Sequence, residues 1–151
     1  MGETAPPVRR SFVQAHEIPG LLVGALRGRP EALRRILGAR RGGRYGALLL
    51  LAAALVATPP HQIPWLAGLW IALAVGSWRL QRPRDLGLRQ VLRASQWTAA
   101  PLVALATPLR AVDGMGPVDA SGVAVSLALA LSTLLLHRHL GRAAGPAGGR
   151  A

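Results

Sequence analysis

The sequence predicts an all-α, polytopic membrane protein: four short transmembrane helices in two hairpins, preceded by a cytoplasmic amphipathic helical arm. Three observations carry that reading. Residues 45–60, 62–78, 94–109 and 120–136 are apolar and free of charge. All 18 basic residues are arginine, and nine precede the first stretch, five separate the second from the third, and three follow the fourth. If each stretch crosses a bilayer, 17 arginines fall on one side and only Arg110 on the other, which is the positive-inside pattern. Finally, Trp65 falls at one boundary of the stretches and Tyr45, Trp78 and Trp97 at the other, where amphipathic rings sit at headgroup level. Trp70, about one turn inside, is the exception.

Composition bounds the alternatives. The chain has 151 residues, enough for one domain but not for a soluble enzyme plus an anchor. Apolar residues form 51% of it, gathered in blocks instead of the amphipathic rhythm of a soluble core. The blocks fall short of the ~20 residues needed to cross ~30 Å of hydrocarbon, so arginine stems must snorkel or the bilayer must thin. The net charge of +12 is explained by topology and by anionic cytoplasmic lipid, and nucleic acid is not expected as a partner. Arginine without lysine, beside abundant Ala, Gly and Pro, has the look of a GC-rich bacterial genome. The expected location is therefore the bacterial inner membrane, with both termini cytoplasmic. Absence of cysteine excludes disulfides, thiolate nucleophiles and Cys-ligated metals. No cleavable signal is evident near Met1, so the first span is expected to remain as an anchor.

In chain order, residues 1–43 form the arm, 44–137 the transmembrane domain and 138–151 a disordered cytoplasmic tail. Within the arm, Ile18, Leu21, Leu22, Ala25 and Leu26 recur at helical spacing, as do Leu33, Ile36 and Leu37 after a break at Gly28 and Pro30. Pro30 and Glu31 suit the first turn of a second helix, where no amide is needed and a carboxylate meets the positive dipole end. The expected lipid-surface contacts are Arg27, Arg34, Arg35, Arg40, Arg41 and Arg44, with the apolar face turned down into the interface. Docking of that face on a protein is the alternative.

Span one covers 45–58 and stops at Pro59 and Pro60. The short connection to span two, 63–78, predicts a tight antiparallel hairpin. The basic loop 79–93 contains a second short amphipathic piece over 86–92. Span three, 95–109, contains Pro101 and Pro108, and a re-entrant hairpin is its alternative. After an outer turn from Asp113 to Pro117, span four covers 120–136.

No Asp, Glu, Arg or His lies inside the four spans, which argues against an autonomous transporter or proton pump. His61 is expected on the opposite side from His137 and His139, so the three cannot clamp one haem. On a helix, His137 and His139 point roughly 200° apart. Asp113, Asp119, Arg110 and His61 share the outer loops but do not specify an active site. No catalytic residue, cofactor or metal is expected.

The remaining signal is small-residue spacing. Gly68, Ala72 and Gly76 follow one another at i+4, as do Gly122, Ser126 and Ala130. Helices in lipid associate through close approach at such residues. These six are the expected helix-packing interface, while Val123, Leu127, Leu131 and Leu134 are left to face lipid or a bulkier partner. The reading this supports is a non-catalytic accessory subunit that stabilises a larger bacterial membrane complex of respiratory, photosynthetic or transport type. Its expected partners are other integral membrane subunits and anionic lipid. The alternative is an oligomeric channel- or transporter-type protein.

Overall fold

Residues 13–39, 41–81, 87–113 and 119–143 are described in a computed structural model, and every regular element among them is helical. They form α1 (Ile18–Leu26), α2 (Pro30–Gly38), α3 (Gly42–Ala57), α4 (Ile63–Gln81), α5 (Leu88–Ala104) and α6 (Ala120–Ala143). Short 3-10 turns cover Ala15–Glu17, Pro60–Gln62 and Thr107–Val112. Arg40, the 82–86 part of the basic loop, most of the turn after Asp113 and the last eight residues of the tail lie outside the described residues.

The arm breaks where glycine and proline require it. Gly28 has φ +66°, a conformation that costs little without a Cβ. Pro30 then opens α2 with Glu31 in its first turn. The apolar faces of α1 and α2 pack on the chain itself: Leu21, Ala25, Ile36 and Ala39 join Val13 and Trp97 in one buried cluster. The apolar face of the arm is therefore packed on the chain's own bundle. Its apolar residues are taken up by α5 and α3, and a helix has only one such face to give.

The hydrogen bonds between the α3 and α5 segments show how they run. Trp97 donates to the carbonyl of Gly42 at one end, and Arg110 donates to those of Leu55 and Val56 at the other. The sequence offset is 55, 55 and 54 residues respectively, so the two segments run parallel along the whole of α3. The end of the bundle that carries the arm is called the arm end below, and the end at Arg110 the far end.

α5 is the centre of the molecule, packed by α3, α6, α4 and both arm helices. Val91, Ala94, Ser95, Trp97, Thr98, Ala99, Ala100 and Val103 are all buried. Here the sequence reading needs correction. The piece at 86–92 and the span at 95–109 are not separate: Leu88 to Ala104 is one helix, continuing through Pro101 without a re-entrant turn. Its polar start belongs to the same helix because protein surrounds it and supplies partners. The Ser95 and Thr98 hydroxyls, for example, bond to backbone carbonyls of the preceding turn.

The first hairpin also differs from expectation. α3 and α4 are joined by only five residues yet make almost no contact with each other. α3 seats on α5, while α4 packs chiefly on α6 through Leu66 and its neighbours. Pro59, extended, and the 3-10 turn behind it carry the chain across the end of the bundle instead of folding it back on itself. The spatial order is thus α3, α5, α6, α4, with a seam left open between the first and last. At the other terminus α6 continues to Ala143, so residues 138–143 of the expected irregular tail are helical.

Candidate functional site

α3 and α5 cross at short distance. A Cβ added at Gly46 would come within 2.8 Å of the Trp97 indole, and one at Gly42 within 2.5 Å of the Ile36 carbonyl oxygen. Trp97 is completely buried and donates its indole N–H to the Gly42 carbonyl at 2.8 Å. Glycines one turn apart thus let the α3 backbone reach a tryptophan on one side and the arm on the other. The sequence carries the signal as Gly42 and Gly46 at i+4. It is masked by the arginines around it, which made the segment read as the edge of the arm. Trp97, read as a boundary anchor, is a core residue.

Polar contacts brace the arm internally and fasten it to the bundle. Arg93 donates to the carbonyls of Leu37 and Ala39 at 2.8 and 3.3 Å, closing the C-terminal end of α2 where a cation also meets the negative dipole end. Glu17 pairs with Arg35 at 3.0 Å and accepts the Gln14 backbone N–H at 3.0 Å. That backbone donor is the main reason the Glu17 carboxyl is held below its ordinary range, with Arg35 adding to it. The ring of His139 on α6 lies 3.3 Å from the Leu26 carbonyl oxygen and fills the space beside Gly28 where a Cβ would stand.

The expected packing stripes fare unequally. Nothing lies within 4 Å of a Cβ at Gly68 or Gly76, and Ala72 between them is exposed, so the α4 stripe meets no other helix among the described residues. On α6, Gly122 is covered by the Gln62 side chain, Ser126 is half-buried with its hydroxyl on the Gly122 carbonyl, and Ala130 is exposed. Val123, Leu127, Leu131 and Leu134 are exposed, as the pattern predicts. Of the expected surface arginines, Arg27, Arg34, Arg41 and Arg44 are exposed, while Arg35 is half-buried beside Glu17.

At the far end, Asp119 caps α6 by accepting the Gly122 N–H, and it also binds Gln62 and the Ser121 hydroxyl. Asp113 accepts the Ser121 N–H at 2.9 Å, and its contacts with Ser121 hold its carboxyl below the usual range. These bonds tie the two loops of that end together. His61 is exposed in the groove beside them, distant from His139 at the arm end. No cluster of three or more His, Cys, Asp or Glu suited to a metal occurs among the described residues.

Along the open seam lies an apolar cavity of about 160 Å3, with α5 and α6 as its floor. Leu50 and Ala54 of α3, Leu66 and Trp70 of α4, Val103 and Leu129 line it. Trp70 is held in place by a hydrogen bond from its indole to the Ser95 hydroxyl at 3.1 Å. That bond accounts for a tryptophan one turn inside the boundary. No protein-family model, curated protein or solved structure matches the chain.

Two stretches, Pro60–Leu80 and Ala120–His139, are helical, long enough and apolar enough to cross a membrane.

Proposed function

We propose that the chain is a four-span protein of the bacterial inner membrane and a non-catalytic accessory subunit of a larger membrane complex. The observation that carries the membrane reading is an exposed, charge-free apolar belt. Leu48, Leu51 and Leu55 of α3, Ile71 of α4, and Leu127, Leu131 and Leu134 of α6 all stand 45–65% exposed. A core helix of a soluble protein would bury such residues, yet only 17% of the most apolar window of α4 is buried, and 33% of that of α6. Contiguous exposed patches of this kind mark membrane or protein contact.

α3 and α5 are shorter, 16 and 17 residues. At 1.5 Å per residue they rise about 25 Å. The parallel pairing of α3 with α5 and the turn beyond it supports counting both as crossings of the same thickness. α5 needs little apolarity of its own, because protein covers it on most sides.

The accessory role rests on the α4 face of Gly68, Ala72 and Gly76, which offers a close seat that no helix among the described residues takes. Gly68→Leu or Ala72→Leu should leave insertion and stability of the isolated chain unchanged, because there is open space for the added side chain. Either should abolish co-purification with larger membrane subunits in mild detergent. Retention of those subunits by both variants would remove the interface, and recovery of a pure homo-oligomer would favour the channel-type alternative. Gly122, covered by Gln62, is not a clean test of the same idea, since leucine there disturbs the chain itself.

A further inference from the structure

We propose that the seam between α3 and α4 is a binding site for the hydrocarbon chain of a membrane lipid, an inference that rests on the membrane reading above. Water needs two to four polar partners in a cavity. Here the polar side chains in the wall are Gln96, whose Oε1 is buried without a hydrogen-bond partner, and Trp70, whose indole N–H is already given to Ser95, so a water would find a single free acceptor. An empty cleft of this size would forfeit dispersion contacts along every wall.

A helix does not fit, being about 10–12 Å across with its side chains. Hydrocarbon does: the 160 Å3 here is close to the ~150 Å3 of an apolar cavity that stays dry and takes up benzene. Access is lateral. Leu51 and Ala67 at the mouth are exposed and continuous with the apolar belt, so a chain enters from the bilayer side without meeting a charge. The splayed hairpin produces the site, because a tight one would have closed it with the side chains of α3 and α4. Trp70, fixed by Ser95, gives it a rigid wall.

The four tryptophans make occupancy measurable. The whole protein, labelled with 5-fluorotryptophan, is placed in phosphatidylcholine and phosphatidylglycerol nanodiscs containing a chain-spin-labelled lipid. Fluorine signals are assigned by Trp70→Phe and the corresponding single variants. The Trp70 signal, at the cavity wall, should broaden several-fold and clearly more than that of the fully buried Trp97. Ala67→Phe, at the mouth, should restore the Trp70 signal, and Ile71→Phe, exposed but outside the cavity, should not. A sharp Trp70 signal beside a broadened Trp65 would mean an embedded protein with a closed cleft, and would overturn the proposal. So would an Ala67→Phe protein that broadens like the parent. Failure of the protein to associate with the discs at all would instead refute the membrane reading beneath it.

Discussion

At the residue scale, the account turns on which small residues are load points and which are open. Gly46 faces a tryptophan at 2.8 Å, whereas Gly68 faces nothing within 4 Å, though both are glycines at i+4 spacing in apolar helices. Gly46→Leu must displace Trp97 or push α3 off α5, and overpacking of this kind costs about 1–3 kcal/mol or more. Gly68→Leu should stay within about 0.5 kcal/mol, as expected of an unhindered surface position. Thermal midpoints of the two variants in the same detergent check this, and equal losses would contradict the packing described. Spacing in the sequence located small stripes but did not rank them, because the ranking depends on which helix lies opposite. Trp97 illustrates the same limit: a tryptophan near a charge boundary fits a lipid interface and a buried indole equally well until its partner, the Gly42 carbonyl, is known.

At the scale of elements, the arm and α5 explain each other. α5 begins with Arg89 and Arg93 inside its first two turns, which hid its true start from a reading based on charge-free blocks. Arg93 can be there because two carbonyls at the end of α2 receive it. The breaks at Gly28 and Pro30, the charge-free cores of α3, α4 and α6, and the exposed row from Val123 to Leu134 were all legible, since each is set by local chemistry. The seating of the arm on the chain's own bundle was not, because an apolar stripe names no partner. The fold of the arm itself has a pH signature. The Glu17 carboxyl is depressed in the folded arm by the Gln14 N–H and by Arg35. Its contribution is therefore present above the ordinary value of 4.5 and is lost as pH falls through the lower folded value. The Gln14 amide resonance should be unchanged at neutral pH and move only in acid below 4.5. Glu17→Gln should place it near the acid position at every pH, and an identical acid shift in that variant would show that Glu17 is not the group responsible.

For the whole molecule, a thin bundle with an offset basic face emerges from few rules. Arginines gather at the arm end, where Arg27, Arg34, Arg41 and Arg44 are exposed. Among the described residues the arginine at the far end is Arg110, bonded to the carbonyls of Leu55 and Val56 in the last turn of α3, so its presence there has a structural use that does not depend on topology. The order α3, α5, α6, α4 could not be read from connection length, because the five residues between α3 and α4 permit either a closed or a splayed pair. Small-residue contact with α5 decides for the second. The direct test of the four-span account uses the absence of native cysteine, which makes any introduced thiol the single target of a membrane-impermeant maleimide. Arg29, His61, Arg79, Val112 and His137 are all exposed and are replaced by cysteine one at a time. In intact cells stripped of the outer barrier, His61→Cys and Val112→Cys should label. Arg29→Cys, Arg79→Cys and His137→Cys should label only after the inner membrane is opened. Labelling of His137→Cys in intact cells, or equal labelling at all five positions, would contradict it.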